Sequence, residues 1–104
     1  MRKTRVFDYV ESNVSQPIGI GDLASHAALS RHHFCRAFHA AVGMPPMRYV
    51  LVRRVEASKV MLRDDGVSIA EVAYAHGFSS QSHYTTAFKK ITGMTPCEYR
   101  RNRV

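Results

Sequence analysis

Acidic residues are scarce in this chain. Eight Asp and Glu stand against fifteen Lys and Arg among 104 residues, giving a formal net charge of +7 and a sequence pI of about 9.9. So lopsided a balance points to a polyanionic partner, nucleic acid first and an acidic membrane surface second. Charge alone does not choose between them, because many basic proteins bind neither. Cysteine is almost missing as well. Cys35 and Cys97 are the only two, at equivalent positions in neither half of the chain, so a disulfide framework is excluded and a reducing cytosol suits the composition. Tryptophan is absent. No apolar run approaches the roughly 20 residues of a membrane span, and no signal peptide opens the chain. The expectation is a cytoplasmic protein without a membrane partner. Strand-like alternation is missing too, and no Asn-Gly or Asp-Gly pair joins strand-like runs.

What is present fits one compact domain or two very small subdomains sharing contacts. Hydrophobic residues make up 45% of the chain, enough for a core, which excludes wholesale disorder. Their spacing is helical nearly throughout. A first helix is expected from about Thr4 to Asn13, with Val6, Phe7, Tyr9 and Val10 inward, broken by "SQP" at Ser15 to Pro17.

A repeat follows. Ser30, His33, Ala37, Phe38, Gly43, Met44, Pro46 and Tyr49 return fifty positions later as Ser80, His83, Ala87, Phe88, Gly93, Met94, Pro96 and Tyr99. Each copy opens with a short helix, "IGDLASHA" (Ile20 to Ala27) or "IAEVAYAH" (Ile69 to His76). Ser68 with Glu71 has capping-box spacing; Gly19 with Asp22 is a weaker version. A tight turn comes next, one residue longer in the second copy. Gly77 suits a left-handed position there, and Ala28 at the matching place implies strain. A second helix starts after Ser30 or Ser80 and stops before Gly43 or Gly93. Pro46 and Pro96 open the following helices, the latter inside a Thr95–Glu98 capping box. The expectation is an all-α chain of about seven helices. Residues 1–45 and 65–104 form two helix-turn-helix subdomains, joined by a linker helix at 46–64.

On a helical wheel, Phe34, Ala37, Phe38 and Ala41 make one apolar stripe, as do Tyr84, Ala87, Phe88 and Ile91. The opposite stripe is His32, Cys35, Arg36 and His39 in one copy and Ser82, Thr85, Thr86 and Lys89 in the other. No pair among these four is identical. A retained inner face with a rewritten outer face suggests one scaffold used twice on two different surfaces. Such a helix-turn-helix lays its second helix in the major groove. Arg36 can donate twice to guanine, Gln81 can pair with adenine, and Ser or Thr can donate or accept. The intervening helix, Pro46 to about Arg63, is roughly 27 Å long, while successive major-groove segments on one face lie about 34 Å apart. One molecule could then read both.

These residues resemble the DNA-binding domain of AraC/XylS-type bacterial transcription regulators, from about Ile18 to Arg101. The most specific part is "SIAEVAYAHGFSSQSHYTTAFKKITGMTPCEYRR" (Ser68 to Arg101), while "RRVEASKVML" (Arg53 to Leu62) is similar to the family's connecting helix. The resemblance implies a bipartite helical domain bound to double-stranded DNA. It implies RNA polymerase as a second partner, no cofactor, and any separate effector-binding domain outside this chain. Carried over position by position, it implies base contacts by Arg31, His32, Cys35 and Arg36, and by Gln81, Ser82, His83, Thr85 and Thr86. Backbone contacts would come from Arg53, Ser80, Lys89 and Thr95. Three departures stand out. Thr86 occupies a place where the family often has Arg, which leaves Arg36 the stronger determinant. Ser58 replaces the usual Ala, and Tyr84 the usual Phe.

Rival chemistries fare worse. His32, Cys35 and His39 share one helical stripe with His26 and His33 nearby, but structural zinc draws its ligands from separate short-spaced pairs. Catalysis needs a nucleophile, a base and an orienting group in a pocket, whereas the Ser, His and Asp residues here serve as caps, outer-face groups and helix-start acids. A helical protein-interaction module with a basic surface is the better alternative.

Overall fold

Five of the seven helices among the described residues start where a side chain satisfies a free amide. A computed structural model describes residues 3–102. In order they are α1 (Lys3–Ser12), α2 (Ile20–His26), α3 (Arg31–Val42), α4 (Pro46–Leu62), α5 (Ile69–Ala75), α6 (Gln81–Thr92) and α7 (Pro96–Asn102). No strand occurs among the described residues. Residues 1, 2, 103 and 104, the outer ends of the expected subdomains, lie outside them.

The caps explain the boundaries. The Ser30 hydroxyl accepts the His33 N–H at 3.2 Å, and Ser80 accepts the His83 N–H at 3.0 Å. At α5 the box closes on both sides, with Ser68 Oγ accepting from Glu71 N–H and Glu71 Oε2 accepting from Ser68 N–H. Gly19 has no side chain to offer, so at α2 only the return half forms: its N–H donates to Asp22 Oδ2 at 2.9 Å. Thr95 and Glu98 complete the reciprocal pair at α7. Gly43 and Gly93 end α3 and α6 at φ of 90° and 88°, where a residue without Cβ is at ease.

The two interhelical turns are built alike. Leu29 N–H donates to the Ala24 carbonyl at 3.0 Å and Phe78 N–H to the Ala73 carbonyl at 3.1 Å, the long bond of a Schellman closure. The residue before each donor is left-handed: Gly77 at φ 83° and Ala28 at φ 57°. Ala28 is therefore strained as expected, at a cost of about 1–2 kcal/mol relative to an αR alanine. His26 and His76 match as well. Each ring Nδ1–H donates to a carbonyl four residues back, Asp22 at 2.9 Å and Val72 at 2.8 Å.

The chain divides into two compact units between Arg53 and Arg54, inside α4. In the first, Val6, Val10, Ile18, Leu23, Ala24, Phe34, Phe38 and Val50 form a buried cluster, edged by Phe7, Tyr9, Leu29 and Tyr49. In the second, Val55, Leu62, Val72, Ala73, Phe78, Tyr84, Ala87 and Phe88 are buried. Aromatic packing repeats with the sequence. Phe38 and Tyr49 rings lie 5.6 Å apart at 60°, Phe88 and Tyr99 5.5 Å apart at 66°. Burying each such Phe stabilises its unit by roughly 1.5–3 kcal/mol.

One expected core residue is not in the core. Ala41 is exposed. It sits in the last turn of α3, where a single methyl does not span to the packed layer; the larger Ile91 at the matching place is half-buried. The second unit also has a tie of its own. Arg100, on α7, donates to the carbonyls of Leu62 (2.7 Å), Asp64 (3.2 Å) and Val67 (2.7 Å). One guanidinium thereby caps the end of α4 and orders the loop that leads into α5.

Candidate nucleic-acid interface

The cores fix which sides of α3 and α6 meet solvent. Over ten consecutive positions the two helices show one pattern. Residues 31–33 and 81–83 are exposed, 34 and 84 buried, 35 and 85 half-buried, and 36 and 86 exposed; 38 and 88 are buried, and 39, 40, 89 and 90 exposed. Only Ala37, half-buried where Ala87 is buried, differs. The wheel reading of an inner and an outer stripe describes the folded units. Neither helix contains an Asp or Glu, so nothing of negative sign on either helix would repel a phosphate.

The first face carries its cations, Arg31 and Arg36, in the first half of α3. Arg36 and His32 are exposed, and Cys35 is a half-buried free thiol. Arg31 is exposed, but its guanidinium lies over the α2 backbone at Gly21. A Cβ there would come within 3.0 Å of Arg31 Nη2, so the glycine makes room for that side chain. Along this stripe runs an open hollow of about 370 Å3, bounded by Ile20, His32, Cys35, Arg36, His39, Pro45, Pro46 and Met47. Sequence reasoning missed Ile20 and Met47, because they reach α3 from the starts of α2 and α4.

The second face is polar and mostly neutral at its start. Gln81, Ser82 and Thr86 are exposed and Thr85 is half-buried. His83 is exposed, yet its ring packs edge-on to buried Phe78 at 5.2 Å, and its Nδ1 is 3.4 Å from Ser79 Oγ. Cations arrive only in the last turn, with Lys89 and Lys90.

The residues expected at the DNA backbone are in mixed states. Lys89 is exposed. Ser80 Oγ is engaged as an acceptor and keeps its own proton to donate. The Thr95 N–H is taken by Glu98 Oε1 at 2.9 Å, which leaves its hydroxyl. That same N–H is the main reason the Glu98 carboxyl is held below its ordinary value, so an anion sits close to Thr95. Arg53 is bound by Glu11 of α1, Nε donating to Oε1 at 2.6 Å. No spacing signals that grip, since 42 positions separate the two. Among the described residues no three His, Cys, Asp or Glu side chains converge as a metal ion requires. No helix among them is long and apolar enough to cross a membrane.

Comparison with known proteins agrees with this architecture. A family model described as a helix-turn-helix domain matches residues 23–102. The chain is 33% identical to the probable transcriptional regulator LumQ of Photobacterium leiognathi, over 88% of this chain and 37% of LumQ. It thus spans little more than a third of that relative. Among solved structures, an AraC-type DNA-binding-domain-containing transcriptional regulator from Chromobacterium violaceum superposes with a TM-score of 0.88 at 29% identity. That match covers 97% of this chain and 90% of the other. The DNA-binding domain of AdpA, a global transcriptional factor solved in complex with a target DNA, gives 0.86 at 26% identity, covering 94% and 88%. With the family match spanning most of its length and the two-fold helical repeat present, the chain belongs to the AraC-type family of helix-turn-helix DNA-binding domains.

Proposed function

We propose that this chain is the DNA-reading part of a transcription regulator, and that it inserts α3 and α6 into adjacent major-groove segments of one duplex. The observation that carries the reading is the repeated face: one exposure pattern on two helices, acid-free, with different side chains at the outward positions.

In this reading Arg31, His32, Cys35 and Arg36 meet base edges from α3, and Gln81, Ser82, His83, Thr85 and Thr86 meet them from α6. Arg36 donates in bidentate fashion to guanine O6 and N7, and Gln81 pairs with adenine N6 and N7. Ser80, Lys89 and the Thr95 hydroxyl meet phosphates, while Arg53 joins them where a phosphate outcompetes Glu11. Thr86 offers one hydroxyl and one methyl, so α6 discriminates less than α3. RNA polymerase is the proposed second partner. Any separate effector-binding domain would lie outside this chain, which spans 37% of LumQ. A chromosomal target places the protein in the cytoplasm, acting without a cofactor and without catalysis.

Selection of bound sequences from random duplex DNA, followed by titration across salt concentrations, tests the proposal. Expected are one chain per minimal site, preferred bases in two segments about one helical turn apart, and affinity falling steeply with salt. Two chains per minimal site, or salt-insensitive binding without base preference, would contradict it.

A further inference from the structure

We infer that the hollow beside α3 is a specificity pocket for a pyrimidine 5-methyl group, with the Cys35 thiol in its lining. The inference rests on the DNA-binding reading above and adds a base to it. Cys35 occupies the middle of the outer stripe, one position before Arg36, and is half-buried with a free thiol. Around it, Ile20, Pro45, Pro46 and Met47 contribute apolar surface, while His32, Arg36 and His39 line the remainder. Met47 is 37% exposed, a large apolar side chain left facing solvent beside a cationic helix.

That combination is odd for a surface that only meets phosphates. A cysteine thiol is a weak donor and a weak acceptor and behaves as a small hydrophobe, so it cannot read a base edge by hydrogen bonding as Gln or Arg would. In the major groove the one apolar group on offer is the C5-methyl of thymine. The charge complementarity of the acid-free α3 draws the duplex to this side. Arg36 then fixes a guanine, and the neighbouring position on the helix faces the adjacent base step. The occupant of the hollow is therefore the methyl of a thymine within one step of the guanine that Arg36 reads.

The test alters the DNA rather than the protein first. Starting from the site recovered by selection, each thymine is replaced singly by deoxyuridine, which removes only the methyl. Removing a buried methyl from this hollow should weaken wild-type binding about fourfold at one thymine beside the Arg36-dependent guanine. Every other replacement should act less. In Cys35→Ser, which substitutes a hydrated hydroxyl of similar size, thymine and deoxyuridine should bind alike at that position. Uniform tolerance of deoxyuridine by a wild-type chain that still binds the site overturns this inference and leaves the DNA reading intact. A fourfold effect that persists unchanged in Cys35→Ser also overturns it, by placing the methyl elsewhere. Failure of the wild-type chain to bind any selected duplex overturns both.

Discussion

The hydroxyls of Tyr84 and Ser58 lie 2.7 Å apart in the core of the second unit, and both residues are fully buried. Ser58 Oγ also donates to the Val55 carbonyl at 2.7 Å, and a hydroxyl has one proton. Tyr84 is therefore the donor to Ser58. Two departures from the family pattern, Tyr for Phe and Ser for Ala, prove to be one feature. Each supplies the partner that the other needs.

A double-mutant cycle separates the pair from its members. Ser58→Ala strands a buried phenol and should cost about 1–3 kcal/mol. Tyr84→Phe should cost less, because Ser58 keeps the Val55 carbonyl. The double variant should be at least as stable as Ser58→Ala alone, a coupling that denaturant titration resolves. Additive losses would show that the hydrogen bond does not link them.

Alkaline pH should find the same pair. Burial raises the Tyr84 pKa above its ordinary 10.0. The unfolded chain then releases this proton at a lower pH than the folded chain does. Stability from this group is complete below pH 10 and declines as pH climbs from there through the folded value. Thermal unfolding of wild type and Tyr84→Phe between pH 8 and 11 should show the variant losing less. Parallel curves would remove Tyr84 from the account.

The two turns offer a reciprocal exchange. Ala28→Gly should raise stability by roughly 0.5–1 kcal/mol, relief of left-handed strain outweighing the added freedom of the unfolded chain. Gly77→Ala should lower it by about 1 kcal/mol. Denaturation midpoints of the two variants provide the check. A loss of stability in Ala28→Gly would mean that the backbone at φ 57° is not strained.

Much of this was legible because the signals are local. Ser30, Ser80, Gly43 and Gly93 act within four residues of themselves, and the inner stripes with Phe34, Phe38, Tyr84 and Phe88 are set by helical period alone. Ala41 misled, since the wheel gives direction and not reach. Features that bridge distant segments stayed hidden. Ser58 and Tyr84 stood out only as two separate oddities 26 positions apart. Glu11 on Arg53 and the three carbonyls on Arg100 depend on how helices pack, and no spacing encodes them. The hollow is the extreme case, being assembled from the starts of two helices and the flank of a third.

Charge changes at the residues proposed to meet phosphates, or at their partners, should act evenly on all DNA. Lys89→Ala should weaken binding to cognate and unrelated duplexes by the same factor and lower the salt slope by about one. Glu11→Gln, which releases Arg53 from its ion pair, should do the reverse, strengthening binding to both. Titrations at several salt concentrations report each. A shift in the preferred base with Lys89→Ala, or no gain with Glu11→Gln, would deny these residues a backbone role.

The central claim is that α3 reads bases through its outer stripe, and Arg36 is the residue on which that claim turns. Affinities of wild type and Arg36→Ala should be compared for four versions of the selected site, one for each base at the most discriminated position of the α3 segment. The variant should lose about 1–3 kcal/mol on the cognate duplex and bind all four versions almost equally. An equal loss on every duplex, with the original preference retained, would contradict it.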